Sequence, residues 1–262
     1  RLENTMKNIK IGSVQINNGF SGQFYLPYSI GLLQAYVLHN SKDPKRYKFQ
    51  STIYKRLLLE ECVNKLKRED IILFSVYVWN INISLAIAKK IKEINNNILI
   101  IFGGPSVPDN SGDFLKKNSF IDLVVHQEGE RTILAILDNF PSYNWNDIPG
   151  ISYLKNKKMI NNKGIPRFRN FDGCPSPYLS GVFNKLIFEN PNEQWLASWE
   201  TNRGCPFSCT YCDWGSAINS KVARFELERL YKELEWFSKK KIEFIFCCDA
   251  NFGMLPRDYD IV

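Results

Sequence analysis

Over the first 140 residues, short β-branched runs alternate with segments of helical period, and few folds tolerate that alternation. The strand-like runs cover residues 9–16, 47–53, 71–78, 98–102 and 121–126, and helical segments fall at 28–39, 57–66, 83–94, 113–117 and 131–140. The strands are near-continuous apolar runs, which belong to a sheet buried on both faces. Ile83, Ile87, Ile91 and Ile94 form one helical stripe that would cover such a face. The expectation is an α/β chain whose first part, residues 1–140, is a doubly wound, Rossmann-like parallel sheet. Such sheets bind ligands beyond the carboxyl ends of their strands, here the loops 17–27, 77–82, 103–108 and 127–130. Gly103-Gly104-Pro105 suits close backbone approach to a ligand and equally suits a plain tight turn. The first loop lacks G-x-G-x-x-G, which disfavours a dinucleotide.

The second constraint is Cys205, Cys209 and Cys212, spaced C-x3-C-x2-C on one loop. Three thiolates so placed can hold three irons of a cubane cluster and leave the fourth open to a ligand. Four-cysteine zinc sites pair two C-x2-C knuckles, and disulfide frameworks need an oxidising compartment, so neither accounts for a compact trio.

The segment from Glu200 to Gly215, with Arg203-Gly204-Cys205 at its centre, resembles the cluster loop of radical S-adenosylmethionine (SAM) enzymes. Its Asp213-Trp214-Gly215 continuation is similar to the branch that carries an N-terminal cobalamin-binding domain. The resemblance implies a [4Fe–4S] cluster on the three cysteines, with the amino and carboxylate groups of SAM on the open iron and reductive cleavage to a 5′-deoxyadenosyl radical. It implies that Tyr211 packs near the adenine, where the alternative is a core aromatic. It implies that Asp249 and Asn251, after the second barrel strand, bind the methionine amino group, where the alternative for Asp249 is an Asx-type turn. Residues 26–36, 74–80, 102–105 and 126–130 together resemble the cobalamin-binding domain, which places Ser75, Tyr77, Gly103, Gly104, Pro105 and Glu128 against the corrin. Core packing by Tyr77 and helix capping by Glu128 are the competing readings. The D-x-H-x-x-G motif that supplies a cobalt ligand in other cobalamin proteins is absent, and the two histidines, His39 and His126, read as structural.

Residues 141–195 read as a proline-broken connector with a small hairpin, 151–154 against 158–160. Residues 196–262 read as the start of a truncated radical SAM partial TIM barrel, with strands at 196–200 and 242–248 and a helix at 223–239. Leu227, Leu230, Tyr231, Leu234 and Phe237 would be its buried stripe. With only two barrel strands, Phe244–Phe246 would lack a neighbour, so the natural protein is expected to continue past Val262. The net charge of +7 comes from scattered lysines and arginines, which disfavours a nucleic-acid partner. No apolar run reaches membrane-spanning length and no secretory signal opens the chain, so a cytoplasmic setting is expected. Cys62, Cys174 and the Cys247-Cys248 pair read as packing residues.

The function so implied is a cobalamin-dependent radical SAM enzyme, a methyltransferase acting on an unactivated carbon or phosphorus of a small-molecule or peptide substrate. It would draw on a low-potential electron donor such as flavodoxin or ferredoxin. Two alternatives stay open: a radical SAM enzyme whose first domain has lost cobalamin, and a non-catalytic iron–sulfur or corrinoid-binding protein.

Overall fold

The computed structural model of the chain describes residues 8–171, 173–207, 209–212 and 220–262. Its first part runs β1 (Ile9–Val14), β2 (Gly19–Phe20), β3 (Gln23–Tyr25), α1 (Tyr28–Asn40), β4 (Tyr47–Phe49), α2 (Leu59–Leu66), β5 (Ile71–Ser75), α3 (Ile81–Ile94), β6 (Leu99–Gly103), α4 (Gly112–Lys117), β7 (Leu123–Val125), α5 (Glu130–Asn139), β8 (Ile151–Lys155) and β9 (Lys158–Asn161). The main sheet has the order β4-β1-β5-β6-β7-β8-β9, parallel as far as β7. Strand order reverses between β1 and β5, and it is in the crevice outside the carboxyl ends of the strands at such a switch point that sheets of this kind take ligands.

The strands bury both faces because their apolar residues are continuous. Ile11, Leu73, Ile101 and Leu123 pack with Ile30, Val37, Ile133 and Ile136 of α1 and α5. Ile72, Phe74, Ile100, Phe102 and Val124 point the other way, onto Val63, Leu66, Ile87, Ile91 and Leu115 of α2, α3 and α4. Each such side chain contributes about 1.5–3 kcal/mol on burial. Ile94 departs from the expected stripe and is half exposed. The segment read as a strand over 47–53 holds a ladder only at Tyr47–Phe49, with one further bridge from Ile53 to Val14.

Three sequence expectations are corrected. The hairpin in the supposed connector turns at Asn156 and Lys157, both at positive φ, and its strands extend the main sheet as antiparallel additions. The rest of that segment is core: Phe171, Tyr178, Phe183 and Leu186 are buried beside Tyr28, Trp195, Trp199 and Phe237. Phe183 lies so close to α1 that a Cβ on Gly31 would stand 2.3 Å from its ring.

The second correction concerns the other sheet. After α6 (Asn184–Glu189) come β10 (Gln194–Trp199), β11 (Asn202–Cys205), β12 (Ser220–Arg224), α7 (Leu227–Lys239) and β13 (Phe244–Cys247). β10 pairs in parallel with β13 on one side and with β3 on the other, so the sheet has four strands, β13-β10-β3-β2. The Gly-rich loop after β1 therefore supplies half of this sheet. Phe244 and Phe246 remain half exposed on the β13 edge.

Third, the helix expected from residue 223 starts at Leu227, because Ser220–Arg224 form an antiparallel ribbon with β11. α7 buries Leu230, Glu233 and Phe237 and leaves Tyr231 exposed, while Glu228 and Lys232 pair at 2.7 Å on its outer face. Glu233 is tolerated inside because Trp199 Nε1 donates to it at 2.6 Å and Arg229 Nε at 3.0 Å. Among the described residues no helix is long and apolar enough to cross a membrane.

Candidate functional site

The crevice at the switch point is held by residues whose spacing gave little warning. Asn80 is fully buried and staples the ends of the two strands: its amide donates to Ile16 O at 3.0 Å and Ser75 O at 3.1 Å, and its oxygen accepts from Tyr77 N at 2.8 Å. Gln15 Oε1 accepts from Ile30 N at 3.0 Å, occupying a first-turn donor of α1. Ser75 and Gly103 are direct partners across β5 and β6. Gly104 has φ 107, and a Cβ there would lie 2.6 Å from Val76 O, so no other residue fits without displacement. Gly104 and Pro105 are exposed, and Tyr77 stacks on exposed Trp79 with ring centroids 4.7 Å apart. Ser29 Oγ and the Tyr77 hydroxyl lie 2.6 Å apart. The crevice thus offers an aromatic face and bare backbone together, and Tyr77 is no core residue.

His126 is structural, with Nε2 2.9 Å from Ser152 Oγ and burial lowering its pKa. His39 is exposed near the end of α1. Glu128 is not free for a ligand in the way the sequence suggested. Its carboxylate accepts from Phe168 N at 2.9 Å and lies 3.5 Å from Arg203.

The cysteine loop leaves β11 at Cys205. Gly204, at φ 112, sits where the β11–β12 register shifts, and the resulting bulge redirects the chain at the first thiol. Cys205 and Cys212 are half-buried and Cys209 exposed, and none is in a disulfide. Asn251 Nδ2 lies 3.1 Å from Cys205 Sγ, joining the loop after β13 to the cysteine loop. Among the described residues no three Cys, His, Asp or Glu side chains are drawn to a common point. The donor set itself, three thiols outside any disulfide with an amide N–H beside one of them, fits an iron–sulfur cluster. Tyr211 is 91% exposed, which removes the core reading. Asp213, Trp214 and Gly215 lie outside the described residues.

Asp249 is committed internally. Its carboxylate accepts from Thr201 N at 2.8 Å, Asn202 N at 3.2 Å, Asn202 Nδ2 at 2.7 Å and the Thr201 hydroxyl. Four donors fill a carboxylate, so it clamps the β10–β11 turn to the end of β13 and no oxygen is left over for an ammonium. Burial raises its pKa while these bonds oppose the rise. Of the remaining cysteines, Cys62 and Cys174 are buried core residues and Cys247 and Cys248 are half-buried, and burial pushes the thiols of Cys174 and Cys247 up to about 12 and that of Cys248 to about 11.

The cysteine loop meets the turn after β7 at Arg203. Its guanidinium is bound by Glu130 at 2.8 Å and Glu200 at 2.9 Å, with Glu128 at 3.5 Å. Tyr28 donates to Glu200 at 3.1 Å, tying α1 into the same cluster.

The B12 binding domain family matches residues 48–137. The chain is 38% identical over 243 residues, 90% of its length, to the cobalamin-dependent radical SAM methyltransferase TokK of Streptomyces tokunonensis. By sequence and fold, the chain belongs to the cobalamin-binding-domain radical SAM family. A second member, the 2-(S-pantetheinyl)-carbapenam-3-carboxylate methyltransferase of Streptantibioticus cattleyicolor, is 36% identical over 93% of the chain. The chain spans about a third of the length of these two family members, 35% and 36%. The fold is similar to that of OxsB, a cobalamin-dependent SAM radical enzyme solved with aqua-cobalamin and SAM, at a TM-score of 0.73 and 21% identity over 97% of this chain and 35% of that one. It is also similar to TsrM of Kitasatospora setae, at 0.67 and 13% identity over 97% and 50%.

Proposed function

We propose that this chain is the cofactor-holding part of a cobalamin-dependent radical SAM methyltransferase. The observation that carries the reading is the tie, through Arg203, between a thiol-bearing loop and the turn after β7, at the carboxyl edge of a doubly wound sheet. Cys205, Cys209 and Cys212 would hold a [4Fe–4S] cluster, Asn251 would brace the first thiolate, and exposed Tyr211 would offer its ring to the adenine of SAM. Ser75, Tyr77, Gly103, Gly104 and Pro105 would line the cobalamin site. Asp249 and Glu128 would work from behind, holding the loops that carry these residues. The cluster supplies the electron that cleaves SAM, and cobalamin supplies a methyl carrier. The chain's own task is to hold both in register and keep water from the reaction.

The relatives' names support methyl transfer, and one of them names a small-molecule acceptor, a carbapenam carboxylate. An unactivated carbon or phosphorus as the acceptor atom, a cytoplasmic setting and a low-potential flavodoxin or ferredoxin as electron donor complete the proposal. The test is metal content after anaerobic reconstitution of the full-length protein with iron, sulfide and hydroxocobalamin. About four irons and one cobalt per chain are expected. Iron without cobalt would overturn the cobalamin half, and no iron would overturn the reading altogether.

A further inference from the structure

Arg203 stands two residues before the first cluster thiol, separated from it only by Gly204 at φ 112, where the β11–β12 ladder loses register. The backbone is therefore least constrained where the loop most needs a fixed origin, and the Arg203 side chain supplies one. Its Nε and Nη2 donate to Glu200 at the end of β10, and its Nη1 to Glu130 at the start of α5, with Glu128 of the same turn 3.5 Å away. All four side chains are at least four-fifths buried, and the guanidinium lies over the Phe171 ring at 5.1 Å.

We propose that Arg203 is a positioning residue that sets Cys205 against the crevice-side turn of Glu128 and Glu130. The inference rests on the cofactor reading above. A planar fork that donates to carboxylates on two separate elements fixes direction as well as distance, which a lysine ammonium cannot reproduce. Three carboxylates converge on one guanidinium, so its removal both unties the loop and leaves like charges facing one another in a buried site.

The test uses the reconstituted chain as R203K, R203M and E130Q beside the unaltered protein. Iron per chain is measured, together with the electron paramagnetic resonance spectrum of the dithionite-reduced cluster with and without SAM. R203K and E130Q should retain unaltered far-UV circular dichroism and iron, yet show displaced g-values and a several-fold smaller spectral response to SAM. R203M should lose most of its iron. A purely structural role would lower thermal stability and leave the folded fraction's spectrum unchanged. Identical spectra in the unaltered chain, R203K and E130Q overturn this inference alone, whereas no iron in the unaltered chain overturns the cofactor reading and this inference with it.

Discussion

Asn80→Ala is the substitution that most directly tests how the crevice is built. It deletes three hydrogen bonds from a fully buried amide, two to the carbonyls that end β1 and β5 and one from the Tyr77 amide. At about 1 kcal/mol net for each bond, the loss is about 3 kcal/mol. For a chain of this size, 2–4 °C per kcal/mol converts that to a fall of roughly 6–12 °C in the unfolding midpoint. Thermal unfolding followed by near-UV circular dichroism measures it, and hydroxocobalamin retained after desalting reports the same event at the mouth of the crevice. Asn64→Ala is the control: Asn64 is exposed and bonded only to Lys67, so its loss should cost less than about 0.5 kcal/mol. If Asn80→Ala unfolds within about 2 °C of the parent chain, the amide does not hold the two strand ends together and the account of the crevice fails.

Gly104→Ala should destabilise by about 2–4 kcal/mol in denaturant titration, since it combines an unfavourable φ with a Cβ 2.6 Å from Val76 O. Trp199→Phe should cost about 1.5–3 kcal/mol in the same assay, because the buried Glu233 carboxylate loses its indole donor. Cys205→Ala, Cys209→Ala and Cys212→Ala should each abolish stable iron uptake while unfolding midpoints of the metal-free chains stay close to the parent, read by colorimetric iron assay and calorimetry. Glu69 gives a pH signature: it is buried, one carboxylate oxygen has no partner, and burial raises its pKa against the opposing pull of Lys10. A carboxyl raised in the folded state favours folding below its unfolded value of about 4.3 and loses that contribution as pH rises through the folded value. Glu69→Gln should therefore raise the midpoint at pH near 7.5 and match the parent below about pH 4, and a stabilisation that persists in acid would refute the assignment.

The main sheet was legible because its signal is local: strands buried on both faces must be apolar at every position, and the crossover helices declare their own period. The second sheet was only half legible. Gly19–Phe20 and Gln23–Tyr25 are too short to show alternation, and nothing nearby says that Gln23–Tyr25 pairs with residues some 170 positions on. The expected helix over 223–239 took in Ala223 and Arg224, the end of β12, because both are good helix formers and no turn residue separates them from the helix. At the site, the thiols were visible in their spacing, whereas their supports were not. The Arg203–Glu130 pair joins residues 73 positions apart, and the donors to Asp249, on Thr201 and Asn202, lie 48 and 47 positions before it. Asp249 and Glu128 stand out in the sequence as candidate ligand-binding acids, and in the fold partners invisible to local pattern claim their oxygens.

The exchange of β3 between the two halves limits how the molecule can move. The chain leaves the first sheet at Val14, runs alongside β10, and returns into α1, so the second sheet is laced into the first on both sides of one short segment. Rotating one half against the other would stretch that lacing at both ends and peel a parallel ladder. Opening by a domain hinge, on the microsecond-to-millisecond scale, would therefore break the backbone pairing of β3 with β10. Motions that leave this pairing intact are those of the turns at 77–80 and 103–108, on the nanosecond-to-microsecond scale of loops.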